Sequence, residues 1–312
     1  MRVFLTGSTG YIGSAVVRAL LRRGHEAVGL VRSEEKAGRL RGLGGHPVLG
    51  DLKDPRTFAE PAAACDAVVH AGLEYGPNVL EGERLAVGAI LGAQRARKEP
   101  RAFVYTSGVW VLGPTGEKPA DETSSTAKAA SIVSWRPEME RTVVGASQGR
   151  LFAAVVRPGI VFGGRGGLIG GFFESANREG AAAVVGDGRN RWSPVHVDDL
   201  ADLYVRIVEL SATDRLRGLS PADRLFHGTD GTAETTEEIA AAAARAAGRD
   251  GRIQVQPLAE ARKTMGSLAD ALAMDQAVVS PRSELLLGWR PRMAGFVRNA
   301  GEAYAEWTNP SF

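Results

Sequence analysis

A chain of 312 residues is long for a single domain, and its 44% hydrophobic and 24% charged residues are ordinary globular material for a large core beside a smaller lobe. The formal net charge of +2 excludes a strongly basic nucleic-acid surface, and one cysteine, Cys65, excludes both an internal disulfide and a multi-thiolate metal site. No apolar run is long enough to span a membrane, and Met1-Arg2 leads into a strand without a signal peptide, so the expected location is cytoplasmic.

Residues 2–6 read as a short buried strand that stops at Gly7. Gly7, Gly10 and Gly13 follow at intervals of three, and Ala15, Val16, Ala19 and Leu20 then mark one face of a helix. A strand that turns through glycines into a helix leaves backbone N–H groups unpaired at the helix start. The helix dipole adds positive potential there, so the turn suits a pyrophosphate. A β-carbon would block the turn, the phosphates, or the packing of helix on strand. The spacing is Gly-x-x-Gly-x-x-Gly, not the Gly-x-Gly-x-x-Gly fingerprint, and a plain glycine-rich turn is the competing reading.

Further along, the pattern predicts a strand at 27–31, a polar helix at 34–41 and a short strand at 47–49 ending in Gly50-Asp51-Leu52. Asp54-Pro55 opens another helix, followed by a strand at 66–70, a long helix at 79–97 and a strand at 101–106. Each strand is a brief apolar run without strict alternation, which predicts a parallel sheet covered on both faces. Ligands of such sheets lie beyond the carboxyl ends of the strands, which selects Arg32, Asp51, residues 70–75 and residues 106–108. A polar loop spans 114–130, a sixth strand covers 151–156, and Arg157-Pro158-Gly159 leads to a glycine-rich run at 163–171. Short strands at 182–185 and 253–255 and helices after Asp198, Thr236, Ala269 and Met293 complete the chain. The expected division is a larger domain over 1–165 and a smaller α/β lobe over 166–312, partly interleaved with it.

Several segments together resemble the extended short-chain dehydrogenase/reductases, the NAD-dependent epimerase/dehydratase family. They are Thr6-Gly7-Ser8-Thr9-Gly10-Tyr11-Ile12-Gly13, Gly50-Asp51-Leu52, Val69-His70-Ala71-Gly72 and Val104-Tyr105-Thr106-Ser107-Gly108. Beyond them stand Arg157-Pro158-Gly159-Ile160-Val161-Phe162-Gly163, Val195-His196-Val197-Asp198-Asp199-Leu200-Ala201 and Leu287-Gly288-Trp289-Arg290-Pro291, in the family's order. The resemblance implies a Rossmann-type doubly wound parallel sheet with a substrate lobe. It implies that Gly7, Thr9, Gly10, Tyr11, Ile12 and Gly13 hold a pyrophosphate, and Asp51 and Leu52 the adenine side. Ala71 and Gly72 would meet the ribose region, with Thr106 among the cofactor-binding positions, and Pro158, Gly159 and Val161 would flank the nicotinamide.

An acidic residue at the end of the second strand would accept bonds from adenosine ribose hydroxyls and select NAD. Val31-Arg32-Ser33 stands there instead. A guanidinium gives charge-assisted bonds to a 2′-phosphate, so Arg32 predicts NADP(H) in preference to NAD(H). A solvated surface arginine is the alternative.

The family's proton chemistry rests on Tyr-x-x-x-Lys with a serine or threonine. Four places after Tyr11, Tyr75, Tyr105, Tyr204 and Tyr304 stand Ala15, Val79, Val109, Val208 and Thr308, so the motif is missing. Ile132 falls at the tyrosine place and Arg136 at the lysine place, with Pro137 next, which places a helix start near Ser134. Gly108 takes the hydroxyl position, with Ser107 beside it. The catalytic candidates are therefore Ser107, Tyr75 and Arg136, of which Arg136 can hold a ribose but cannot act as an ordinary acid. His70 and His196 read as packing groups, Asp198-Asp199 as a helix cap, and no metal site is evident. Two functions remain in view. One is an NADP(H)-dependent oxidoreductase or epimerase/dehydratase-like enzyme acting on a small carbonyl, alcohol or nucleotide sugar. The other is an NADP(H)-binding redox sensor without turnover. A small-molecule substrate is the expected partner, without nucleic acid or membrane, in a monomer or homodimer.

Overall fold

The structure, a computed structural model, describes residues 1–309 apart from 98, 100 and 212. Six strands, β1 (Arg2–Thr6), β2 (Glu26–Val31), β3 (His46–Leu49), β4 (Ala67–His70), β5 (Arg101–Thr106) and β6 (Leu151–Pro158), join Leu225–Gly228 in a seven-stranded sheet. The order across it is Leu225–Gly228, β6, β5, β4, β1, β2, β3, and every pairing is parallel. The helices relevant below are α1 (Tyr11–Arg22), α2 (Glu34–Gly42), α3 (Ala59–Ala63), α4 (Val79–Arg95), α5 (Arg136–Gly145), α6 (Gly167–Glu179) and α7 (Val197–Leu210).

The unbroken apolar runs follow from burial on both faces. Val3 and Leu5 of β1 pack with α1 and α7, while Phe4 packs on the opposite face with α3, α4 and α5. β5 divides the same way, with Ala102 and Val104 on one side and Phe103 and Tyr105 on the other. Period two is present, but both halves of the period are apolar. The chain builds β1, β2 and β3 toward one edge and then returns to place β4 on the other side of β1. That reversal opens a crevice at the carboxyl ends of β1 and β4, where open parallel sheets bind ligands.

The later part of the chain contributes to both layers. α7 packs along α1, Leu225–Gly228 extends the sheet beside β6, and Trp289 donates its indole N–H to Asp199 O in α7 at 2.8 Å. Around the parallel pair Ala182–Val185 and Ile253–Gln256, a separate core gathers Phe172, Phe173, Trp192, Ile239 and Phe296. The alanine-rich helix Thr236–Ala246 lies within it, its start closed by a reciprocal Thr235–Glu238 capping box.

Three local expectations are corrected. The segment after Asp54 is a 3-10 turn, Pro55–Thr57, and the short α3 starts only after Phe58, because Thr57 turns its hydroxyl back to Asp54 O at 2.6 Å. A helix at Leu258–Met265, hidden by its polar composition, precedes Ser267–Leu272 across Gly266. α5 begins at Arg136 with Trp135, not Ser134, at its N-cap, and a 3-10 turn, Ser131–Val133, leads into it. Among the described residues no helix is long and apolar enough to cross a membrane.

His227 in the edge strand gives the fold a definite acid response. Burial, then the charge of Arg157, pushes its pKa from 6.5 down to about 3, and its Nδ1 bonds Val279 O at 3.0 Å. The folded chain holds this ring neutral while the unfolded chain protonates it, so the contribution is complete above pH 6.5 and is lost as pH falls toward 3. The expected loss from this group is roughly 1.4 kcal/mol per pH unit in that window. Urea midpoints on either side of the upper limit test it. A His227→Gln variant whose pH slope matched the parent would refute the assignment.

Candidate functional site

The site begins where β1 ends. Thr6 Oγ1 accepts the Gly72 N–H at 3.0 Å and lies 2.8 Å from His70 Nδ1, which ties the carboxyl ends of β1 and β4 together. Gly7 then turns with φ of 66°, and a β-carbon there would come within 2.7 Å of Ala71 O and Gly72 N. One at Gly13 would stand 2.1 Å from Gly7 O, so helix and turn touch through bare backbone. Gly10 is the N-cap of α1 and no side chain closes that end, which leaves first-turn N–H groups directed at the crevice. A cleft of about 290 Å³ lies there, lined by Gly7, Thr9, Gly10, Leu52, Ala71 and Gly72. These residues fit a dinucleotide pyrophosphate: the cradle is one that β-carbons would fill.

Arg32 and Lys36 line the outer end of this cleft. Arg32 Nη1 donates to Glu74 Oε1 across it, and Lys53 Nζ lies 3.5 Å from the other oxygen of Glu74. The Arg32 side chain stays half exposed at this end of the cleft, with an internal carboxylate in hand. Lys36 escaped the sequence reading, although it sits in the first turn of the helix that Ser33 caps, four residues past Arg32, whereas Glu74 falls in the 70–75 segment selected there without a role of its own.

A second cavity of about 700 Å³ adjoins the first and shares Leu73 and Tyr75 with it. Tyr11, Ile12, Pro158, Gly159 and Val161 line it, as does Ser107. The Ser107 side chain is 8% exposed and its Oγ has no hydrogen-bond partner. Arg136 completes this inner end: Nη1 donates to Thr106 O at 2.8 Å and to Tyr105 Oη at 3.4 Å, with the guanidinium 4.7 Å from the centre of the Trp135 ring. Below lies a buried polar layer. The His70 ring stacks on Tyr105 at 5.8 Å, and its Nε2 is 3.4 Å from Glu83 Oε1, an ion-pair distance without good hydrogen-bond geometry. Burial opposes ionisation of Glu83, but His70, Tyr105 and Arg136 outweigh it and hold its carboxyl below the usual range.

No buried phenol is poised as an acid. Burial pushes the Tyr105, Tyr204 and Tyr11 hydroxyls upward, and each is already engaged. Tyr204 donates to Thr106 Oγ1 at 2.8 Å and Tyr11 to Gly163 O at 2.7 Å. Tyr75 stands 88% exposed at the junction of the two cavities, and Ile132 borders the larger one. Gly13, Asp51 and Thr106 line neither cavity. Gly13 supports the turn, Thr106 receives Arg136 and Tyr204, and Asp51 Oδ1 accepts the Lys53 N–H at 2.9 Å.

One helix-start assignment also changes. The cap of α7 is His196, whose Nδ1 accepts the Asp198 N–H, and Asp199 instead accepts the Arg292 and Met293 N–H groups at 2.9 Å. His196 Nε2 meets Glu306 at 3.1 Å, a packing role of the expected kind. Among the described residues no group of three or more His, Cys, Asp or Glu is placed to hold a metal ion.

The sequence profile described as the NAD dependent epimerase/dehydratase family matches residues 3–216. An uncharacterized protein of Schizosaccharomyces pombe is 31% identical over 323 residues, covering 97% of this chain and 100% of its own. The 2-alkyl-3-oxoalkanoate reductase of Stenotrophomonas maltophilia is 29% identical over 212 residues, covering 64% of this chain and 63% of its own. Among solved structures, human epimerase family protein SDR39U1 with NADPH is similar in fold, with a TM-score of 0.75 at 22% identity over 98% of this chain and 99% of that one. On the crevice between β1 and β4 and on a match that runs through most of its length, the chain belongs to the NAD dependent epimerase/dehydratase family.

Proposed function

We propose that the chain is an NADP(H)-dependent oxidoreductase that interconverts a small carbonyl compound and its alcohol. One observation carries this reading: Ser107, whose buried hydroxyl has no partner, lines the cavity beside a fixed guanidinium, at the inner end of a dinucleotide cleft. A polar atom desolvated at that depth costs stability unless a ligand satisfies it. Arg32 and Lys36 support the 2′-phosphate form of the cofactor, and so does the NADPH of the human relative. The reductase among the relatives supports a carbonyl substrate.

When bound, the cofactor supplies or accepts hydride at its nicotinamide. Ser107 donates a hydrogen bond to the substrate oxygen and orients it. Arg136 holds the adjoining ribose and favours negative charge nearby, yet it delivers no proton because it stays charged. The proton comes from Tyr75 or from water at the open mouth. Ser107→Ala should lower kcat about tenfold to a hundredfold while leaving the NADPH dissociation constant unchanged. A variant that turned over at the parental rate would exclude Ser107 from the chemistry. Turnover unaffected in Tyr75→Phe would assign the proton to water.

The second reading, an NADP(H)-binding sensor without turnover, is favoured by Ile132 at the place of the family tyrosine. NADPH that binds tightly and is never oxidised by any carbonyl compound would decide for it.

A further inference from the structure

The larger cavity also specifies what kind of molecule it takes. Its walls are Val79, Val109, Trp110, Val133, Leu168 and Leu268, and among the described residues its only charged lining residue is Arg136. Its Nη1 is engaged by Thr106 O and Tyr105 Oη and its face lies against Trp135, which anchors it at the inner end, where the proposed function gives it the cofactor ribose. Arg165, the cation just before α6, lies 5.7 Å over the Trp307 ring and does not line the cavity. A diphosphate seated here would surrender its hydration against apolar walls, with no cation beyond the one that the proposed function gives to the cofactor ribose.

The rim makes a second, independent point. Tyr75 at 88%, Ile132 at 37% and Leu168 at 36% are large apolar side chains left exposed, and all three border this opening. They come from three separate segments: the loop after β4, the turn before α5 and the first turn of α6. Apolar groups gathered from distant parts of the chain around one mouth mark a surface that a ligand covers. At the opposite end stands the unpartnered Ser107 hydroxyl. The bottom holds this serine and the Arg136 guanidinium, with apolar walls and an apolar collar above them.

Resting on the carbonyl-reductase reading, we infer that the substrate is a neutral ketone or aldehyde with an extended apolar body, its oxygen at Ser107 and its body against Trp110, Ile132 and Leu168, and not a nucleotide sugar. Trp110 and Trp135 both line the cavity, so occupancy can be read as a change in tryptophan fluorescence. The probes are 4-phenyl-2-butanone, 2-nonanone and UDP-glucose, titrated into the full chain with and without NADP⁺ and checked by calorimetry. The ketones should bind at least tenfold more tightly than UDP-glucose. Leu168→Glu, a change at an exposed position, should weaken ketone binding at least fivefold and leave NADPH binding as it was. UDP-glucose binding as tight as the ketones, ketones producing neither signal nor heat, or an indifferent Leu168→Glu would each overturn the inference. Ketone binding in a chain that fails to bind NADPH would uphold the pocket and remove the cofactor reading instead.

Discussion

Replacing Arg32 with aspartate is expected to weaken NADPH binding tenfold or more while changing NADH binding little. A tenfold loss is about 1.4 kcal/mol, modest for a charge reversal, because Arg32 is half exposed and solvent screens its field. The sign comes from Glu74. In the native chain Arg32 and Lys53 neutralise that carboxylate, leaving a cleft end that an incoming phosphate can compete for. Arg32→Asp removes the competitor's partner and adds a second negative group beside it. A 2′-phosphate is repelled, whereas ribose hydroxyls gain an acceptor. The same logic makes Glu74→Gln a favourable change: it frees Arg32, and NADPH should bind several-fold more tightly. Calorimetric titration of both cofactors at two salt concentrations distinguishes these outcomes, since only the phosphate-dependent part should fade with salt. Equal losses for NADPH and NADH in Arg32→Asp would remove the 2′-phosphate contact.

The sheet was legible in the sequence because its physics is local. Each strand is a short, almost wholly apolar segment, and burial on both faces makes it stand out from the more polar helices and loops around it. The glycine turn was legible for a related reason, since Gly7 and Gly13 answer to contacts that only bare backbone allows. Arg32 could be placed at the cleft from the end of β2 alone, but its ion pair with Glu74 spans 42 residues and leaves no trace in spacing. The roles of Asp199 and Glu83 were hidden in the same way. Asp199 sits in a helix-start pattern yet serves the segment at Arg292, and Glu83 looks like a surface residue of α4 until His70 and Tyr105 come up beneath it. The helix Leu258–Met265 was missed because most of its surface is solvated and its apolar stripe is thin. Pairings between distant polar residues depend on topology, and topology is what short-range pattern carries least.

Glu140→Ala should produce the largest loss of stability of any single change considered, about 3–5 kcal/mol. Arg157 Nε and Nη2 donate to the two carboxylate oxygens of Glu140 at 2.9 and 2.5 Å, and both side chains are almost wholly buried. Removing the carboxylate strands a guanidinium that cannot shed its proton. His227 Nε2, 3.4 Å from Arg157 Nη1, offers one neutral acceptor and no countercharge. Glu140→Gln keeps some of the hydrogen bonding and should cost less. The double variant Glu140→Leu with Arg157→Met should recover most of the loss, because burying an ion pair gains little over packing apolar groups of similar size. Urea denaturation of the three variants gives the comparison, and a double variant as unstable as Glu140→Ala would locate the effect in helix packing. The pair also reaches the site. Glu140 lies one turn after Arg136 on α5, and Arg157 immediately precedes Pro158 and Gly159 at the end of β6. The clamp therefore fixes the distance between the guanidinium at the cavity floor and the wall expected to flank the nicotinamide. A folded variant with the clamp weakened should lose kcat before it loses NADPH affinity, since the glycine turn and Arg32 belong to other strands.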